Sequence, residues 1–294
     1  MIQALRSSEW LLIVYFGYVA LISPAFPLQA RVTLLPFALV LLVSALAVVL
    51  AYAEAHGHRE FFSVTRDWVP VALTLVAYRE MDWFSPAARD YRLELRWLEW
   101  DRILLYRAGL QQAIESLGVL LPAYLELCYL LVYAVGAFAV AVLYFQDWRE
   151  RANRVVFAYL LGTLLSYALF PYFPSDPPRV VFDGSDMPHV VTALRRLNLW
   201  IVGGYGIHSS VFPSAHVSSA FSAAWALLAY LPEKRLFGWL MLVYAISVGV
   251  ATVYGRYHYA ADVLAGFAVS LAPGLMILLA RPLRLRRGGL PSQP

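Results

Sequence analysis

The sequence predicts an all-α protein, a polytopic transmembrane helical bundle of about seven to eight spans. Three observations carry that class. The 294-residue chain is 61% hydrophobic and only 14% charged, with a mean hydropathy of +0.63, against roughly 45–50% apolar residues in a soluble domain. Apolar runs approaching the ~20 residues that cross a hydrocarbon core recur along its length. Those runs carry Leu, Ala, Val and Gly without period-two alternation, which favours helices over a transmembrane barrel.

Seven runs meet this description: Trp10–Leu28, Val32–Tyr52, Leu121–Phe145, Val155–Phe173, Pro213–Leu231, Leu236–Tyr254 and Tyr259–Ala280. An eighth, Trp68–Phe84, is uninterrupted only to Tyr78, because Arg79, Glu80 and Asp82 occupy its second half. The Met1–Ser23 stretch has the positive start of a signal peptide in Arg6, but the next span follows at once and no small-residue cleavage site is evident, so it reads as an uncleaved helix. Between Ser85 and Gly118 lies a charged stretch with Leu93, Trp97, Trp100, Ile103 and Leu104 recurring at three and four. That spacing predicts a helix lying in the interface or capping the bundle. The chain divides into N-terminal membrane helices with this interfacial helix (1–120), a membrane core (121–280) and a basic tail (281–294), with no internal repeat.

The net charge of +4 comes from arginines beside the spans, with Lys234 the single lysine, and fits a membrane surface better than nucleic acid. Arg149, Arg151 and Arg154 flank one connection, Lys234 and Arg235 sit in another, and Arg281, Arg284, Arg286 and Arg287 follow the last span. These segments alternate in topology, so they share a side, which the positive-inside tendency makes cytoplasmic. Pro174–Phe212 and the turn at Arg256 then face the periplasmic or outer side. Cys128 is the single cysteine, which excludes an intrachain disulfide and a Cys-based zinc cluster.

Three outward segments hold the polar residues suited to chemistry. In FPYFPSDPPR, Pro177 and Pro178 stiffen the chain and place Arg179, a fork of donors for phosphate, just above the membrane. In Phe212-Pro213-Ser214-Ala215-His216, the start of an apolar helix offers free amides, a favourable dipole and the Ser214 hydroxyl to an anion. His216, in the first turn, is placed to protonate a leaving oxygen. In Gly255-Arg256-Tyr257-His258-Tyr259-Ala260-Ala261-Asp262, His258 and Asp262 are four apart, so the carboxylate holds one ring nitrogen and leaves the other free as nucleophile or base. The alternative for each segment is structural: an interfacial arginine, a Pro-Ser helix start, a His-Asp pair.

Taken together, Arg179, then Pro213, Ser214 and His216, then Arg256, His258 and Asp262 resemble the three ordered motifs of the type 2 phosphatidic acid phosphatase superfamily, which includes lipid phosphate phosphatases and vanadium haloperoxidases. The resemblance covers roughly Leu121 to Ala280 and implies a six-helix core. Three positions depart from it. The first-motif lysine is absent, Ala215 stands for glycine, and one residue instead of five separates Arg256 from His258. The FP..PPR, FPSAH and HYxxD pattern is closer to the inositol phosphorylceramide synthase-like branch, which transfers a phosphorylated headgroup.

The resemblance implies phosphoryl transfer on a lipid phosphate, with His258 as nucleophile oriented by Asp262, His216 as acid and base, and Arg179, Ser214 and Arg256 binding the phosphate. No cofactor or metal is expected, since the arginines supply the positive charge. His208 and Tyr257 are candidate substrate contacts. Glu126, Glu80 and Asp82 are placed to reach the cavity or to make structural hydrogen bonds, while His56, His58 and His189 read as surface residues. A lipid transporter, a non-catalytic scaffold and a soluble-type haloperoxidase are the alternatives. The density of spans and the clustering of polar residues at one end weigh against the first and last.

Overall fold

The computed structural model describes residues 5–28, 32–86, 88, 90–182 and 186–287, with side chains as far as 280. All regular elements among these residues are helical. In chain order the α-helices are α1 (Ser7–Ile22), α2 (Leu35–His56), α3 (Arg59–Met81), α4 (Arg92–Arg102), α5 (Leu110–Glu115), α6 (Leu120–Leu131), α7 (Val135–Phe145), α8 (Ala152–Leu169), α9 (Pro178–Val181), α10 (Ala193–Tyr205), α11 (Ala215–Tyr230), α12 (Arg235–Tyr254) and α13 (Ala260–Arg287).

Six stretches are long and apolar enough to cross a membrane: Ser7–Ala25, Leu35–His56, Leu120–Phe145, Arg149–Tyr172, Pro232–Tyr254 and Ala260–Ala280. The chain is therefore an integral membrane protein. Leu120–Phe145 is α6 and α7 joined through a tight turn at Val132–Ala134. Two expected spans fall outside this set of six. The Pro213–Leu231 run forms α11, which is 16 residues long and sits against α8, α12 and α13 in the middle of the bundle. The Trp68–Phe84 run belongs to α3, which begins earlier, at Arg59, and carries more charge than a lipid-facing span tolerates.

α3 nevertheless runs the length of the bundle. At one end Asp67 accepts from Arg6 (2.6 Å) and Arg149 (2.9 Å), and Arg66 pairs with Glu9 (2.6 Å). At the other end, Asp82, just past α3, accepts from the His208 amide (2.7 Å). The paired charges near its start allow α3 to sit among apolar helices, since buried ions are tolerated when partnered.

The connections at Arg149–Arg151 and Pro232–Lys234 lie side by side. Arg151 donates to the Tyr230 carbonyl (2.8 Å) and to Glu233 (2.9 Å). The backbone of the basic tail continues α13 to Arg287, and residues beyond it lie outside the described ones.

Close helix approach in the core depends on small residues, as expected where lipid supplies no hydrophobic contrast. A Cβ on Gly162 of α8 would meet Ser222 of α11 at 1.9 Å, and Ser218 bridges to the Gly162 carbonyl (3.0 Å) and to Ser166 (2.8 Å). A Cβ on Gly266 of α13 would lie 2.4 Å from the Ser214 carbonyl oxygen. That glycine lets α13 press against the start of α11 and so brings the second and third polar segments together.

Candidate active site

The site lies at the bundle end opposite Arg149, where α8, α11 and the α12–α13 turn converge. The turn starts at Gly255, where a Cβ would strike the Tyr257 ring at 2.3 Å. The amides of Tyr257 and His258 both donate to the Thr252 carbonyl (2.9 and 3.0 Å), folding the chain back over the end of α12. Arg256 adopts φ +62°, a left-handed conformation uncommon for residues other than glycine. The turn then enters α13 at Ala260, so that His258 lies two residues before the helix and Asp262 within its first turn.

His258 Nδ1 is 3.2 Å from Asp262 Oδ2, and its Nε2 is 3.0 Å from His216 Nδ1. With the Nδ1 proton assigned to the bond with Asp262, Nε2 keeps its lone pair and receives the His216 N–H. The Asp262 carboxylate is itself held by the Tyr259 amide at Oδ2 (2.9 Å). The Asp262 carbonyl accepts from the Ser214 amide (2.9 Å), which locks the second segment onto the third. Ser214 caps α11, its hydroxyl oxygen accepting from the Val217 amide (3.4 Å). The two histidines and the carboxylate expected from sequence are thus brought together.

A cavity of about 80 Å³ opens beside them, lined in part by Arg179, Ala215, His216, Ser219, Tyr257 and His258. Arg179 stands over the Tyr257 ring, its guanidinium carbon 5.5 Å from the centroid, and its amide donates to the Arg256 carbonyl (3.2 Å). The Tyr257 ring stacks on Tyr129 at 3.7 Å, and Tyr129 in turn stacks on His216 at 5.2 Å. Tyr257 therefore forms a wall of the cavity. Its hydroxyl donates to Glu126 (2.7 Å).

Other residues are placed differently from the expectation. Arg256 is 2% exposed and does not line the cavity; it is paired with Asp101 of α4 at 2.6 Å. Arg179 is the single arginine or lysine lining the cavity among the described residues. His208 is exposed and bonded to Asp82, and it does not line the cavity. Glu126 belongs to a buried network, accepting from Arg195 (2.8 Å) and Asn198 (2.7 Å) of α10. Glu80 is buried. As expected, His56 and His58 are exposed, and His189 lies on the surface bonded to Glu115.

The α4 helix also departs from the sequence reading. Trp97 faces inward, whereas Leu93, Trp100, Ile103 and Leu104 face outward. The buried stripe is Glu94, Trp97, Leu98 and Asp101. Sequence reasoning missed Asp101, Arg195 and Asn198. Acids spaced with Trp97 at three and four were the available signal for Asp101; no comparable signal marks α10.

Burial, with the Arg179 charge nearby, pushes the His258 ring down to about 3, from an ordinary 6.5. An unfolded chain then binds a proton that the folded one refuses between those two values. The stability gained by keeping His258 neutral is present above pH 6.5 and is lost as pH falls toward 3. The thermal midpoint in detergent is expected to drop between pH 7 and 4.5, and His258→Asn to flatten that slope. An unchanged slope in the variant would place the titrating group elsewhere.

The fold and site define an integral membrane protein with a histidine pair and an arginine at one end of its bundle. The profile of the PAP2 superfamily matches residues 95–276, well over half of the chain. The chain belongs to the PAP2 superfamily. It is similar to a PA-phosphatase related-family protein of Dictyostelium discoideum, with 24% identity over 140 residues, 42% of this chain and 23% of that relative. The match thus spans less than a quarter of the relative's length. No solved structure matches the chain.

Proposed function

We propose that the protein transfers a phosphorylated headgroup from a lipid phosphodiester through a phosphohistidine on His258. The observation that carries this reading is the charge of the cavity. Arg256 is neutralised by Asp101, which leaves Arg179 as the cation facing the substrate among the described lining residues. One guanidinium matches the single charge of a phosphodiester; a phosphomonoester dianion calls for more. The FPSAH and HYxxD pattern, similar to inositolphosphotransferases, agrees with it.

In this mechanism the phosphorus sits over the start of α11, with its oxygens facing Arg179 and the first-turn amides. The substrate displaces the His216 contact from His258 Nε2, and its negative charge draws a proton onto His216. His258 Nε2 attacks in line, forming the N–P bond as the P–O bond to the lipid alcohol breaks. His216 gives its proton to the departing oxygen. It then takes the proton of the acceptor hydroxyl, whose oxygen attacks phosphorus and releases His258. Asp262 holds the imidazole throughout and balances its transient positive charge.

Hydrolysis, with water as acceptor, is the second reading, favoured by the phosphatase-related name of the Dictyostelium discoideum relative. By the positive-inside tendency the site faces the outer or periplasmic side, with Arg149, Arg151, Lys234 and Arg235 at the cytoplasmic face.

The experiment is turnover by purified protein of phosphorus-labelled phosphatidylinositol and phosphatidic acid, with and without ceramide or diacylglycerol. Label entering a new phospholipid supports transfer, and free phosphate from phosphatidic acid supports hydrolysis. Absence of both products would return the protein to transport or scaffolding. Because arginine and helix amides supply the positive charge, turnover is expected to survive EDTA; loss that magnesium restores would overturn this mechanism.

A further inference from the structure

The inner stripe of α4 touches all three polar segments. Glu94, Trp97, Leu98 and Asp101, spaced at three, four and seven, share one face of the helix. Glu94 accepts from the Asp176 amide of the first segment (3.3 Å). Trp97 stacks on Phe212 of the second (5.1 Å) and packs against Tyr259 of the third (5.5 Å). Asp101 takes Arg256 at one oxygen (2.6 Å) and the Ala260 amide at the other (2.8 Å).

The two oxygens of Asp101 therefore hold the two ends of a five-residue stretch, Arg256 to Ala260, with His258 at its middle. Both members of the ion pair are buried, Asp101 at 0% and Arg256 at 2% exposure. Removing one partner from such a pair leaves an uncompensated buried charge. The Arg256 carbonyl also accepts from the Arg179 amide, so the pair anchors both the nucleophile's turn and the backbone of the phosphate-facing arginine. Neither Asp101 nor Arg256 lines the cavity, so the pair acts from outside the reacting atoms.

We propose that Asp101 is a positioning residue for phosphoryl transfer: it withdraws Arg256 from phosphate binding and uses it, with the Ala260 amide, to fix His258 against His216 and Arg179. This rests on the reading of His258 as nucleophile. It assigns a catalytic consequence to a helix that precedes every recognised motif, and it gives Arg256 a role different from that of a phosphate ligand.

The test compares full-length Asp101→Asn, Arg256→Gln and the double variant with the native protein, in kcat and KM for the labelled phosphodiester and in amide hydrogen exchange of residues 254–263. Each single change is expected to lower kcat per folded molecule about 100-fold with KM little changed, as for a reacting group displaced by about 1 Å. The double variant is expected to be no worse than the more damaged single, since the two residues act as one unit. Exchange across 254–263 is expected to accelerate in Asp101→Asn.

Losses that multiply in the double variant, or a rise in KM confined to Arg256→Gln, would make Arg256 a phosphate ligand and overturn the proposal. A lowered thermal midpoint with native kcat would reduce the pair to a stabilising contact. Asp101→Glu, which keeps the charge on a longer arm, is expected to fold and to recover only part of kcat, so a poorly folding Asp101→Asn leaves the proposal exposed to refutation. If the native protein transfers no phosphoryl group, the reading of the site fails. Hydrogen exchange then decides alone, and native protection of 254–263 in Asp101→Asn would refute positioning.

Discussion

Replacing His258 with alanine is expected to reduce lipid phosphate turnover by a factor on the order of 10⁴ or more, the scale seen when a member of a nucleophile unit is removed. The reason is geometric. His258 Nε2 carries the free lone pair because Nδ1 is held by Asp262 at 3.2 Å, and among the described cavity-lining residues no other imidazole has a buried carboxylate behind it. Phosphorus label should appear on the native protein as an acid-labile, base-stable adduct and be absent from His258→Ala. His216→Ala is expected to lose about 10²–10⁴-fold, the usual range for general acid–base assistance. That loss should shrink on an aryl phosphodiester whose leaving group needs no proton. Equal label on His258→Ala and native protein would remove His258 from the nucleophile role, and equal losses on both substrates would remove His216 from the acid role.

Changing Arg179 to alanine should cost about 10²–10³-fold in kcat/KM, comparable to losing one preorganised donor to a transition-state oxygen. Arg179→Lys should recover part of it, since an ammonium keeps the charge but not the planar fork. With Arg256 engaged by Asp101, no second guanidinium among the described residues lines the cavity to compensate. The measurement is kcat/KM for the labelled phosphodiester, with the thermal midpoint as a control on folding. Arg179 also stands over Tyr257, so Tyr257→Phe, which keeps the ring and removes only the bond to Glu126, separates loss of charge from loss of the cavity wall. A decrease under threefold in Arg179→Ala would sink the single-cation account of the site.

Much of the bundle was legible because its determinants are local. A run such as Leu236–Tyr254 has the apolar length of a span whatever surrounds it, and it forms one. The four-residue spacing of His258 and Asp262 likewise keeps the pair within reach of each other along the chain, although α13 begins only at Ala260 and His258 meets the carboxylate from the turn before it rather than from the same helix face. The His216–His258 contact was legible only as a juxtaposition of segments implied by resemblance, since 42 residues separate them.

α3 and α4 were read less well. Along α3, Arg66 and Asp67 argue against burial until Glu9, Arg6 and Arg149 arrive from other helices to neutralise them. On α4, apolar periodicity selected exposed residues as readily as buried ones. Trp97 and Trp100 are alike in sequence, and only the Phe212 and Tyr259 rings draw the former inward.

The sequence by itself determined that this chain is a helical membrane protein of the PAP2 type with its polar chemistry gathered at one end. Hydropathy, helical spacing and proline or glycine at chain reversals act within one segment and need no partner to be read. Only the tertiary structure decided which charges face the cavity. Whether Arg256 meets a phosphate or a carboxylate depends on Asp101, 155 residues away, and a long side chain in a low-dielectric interior follows the nearest countercharge, which the segment's own sequence does not contain.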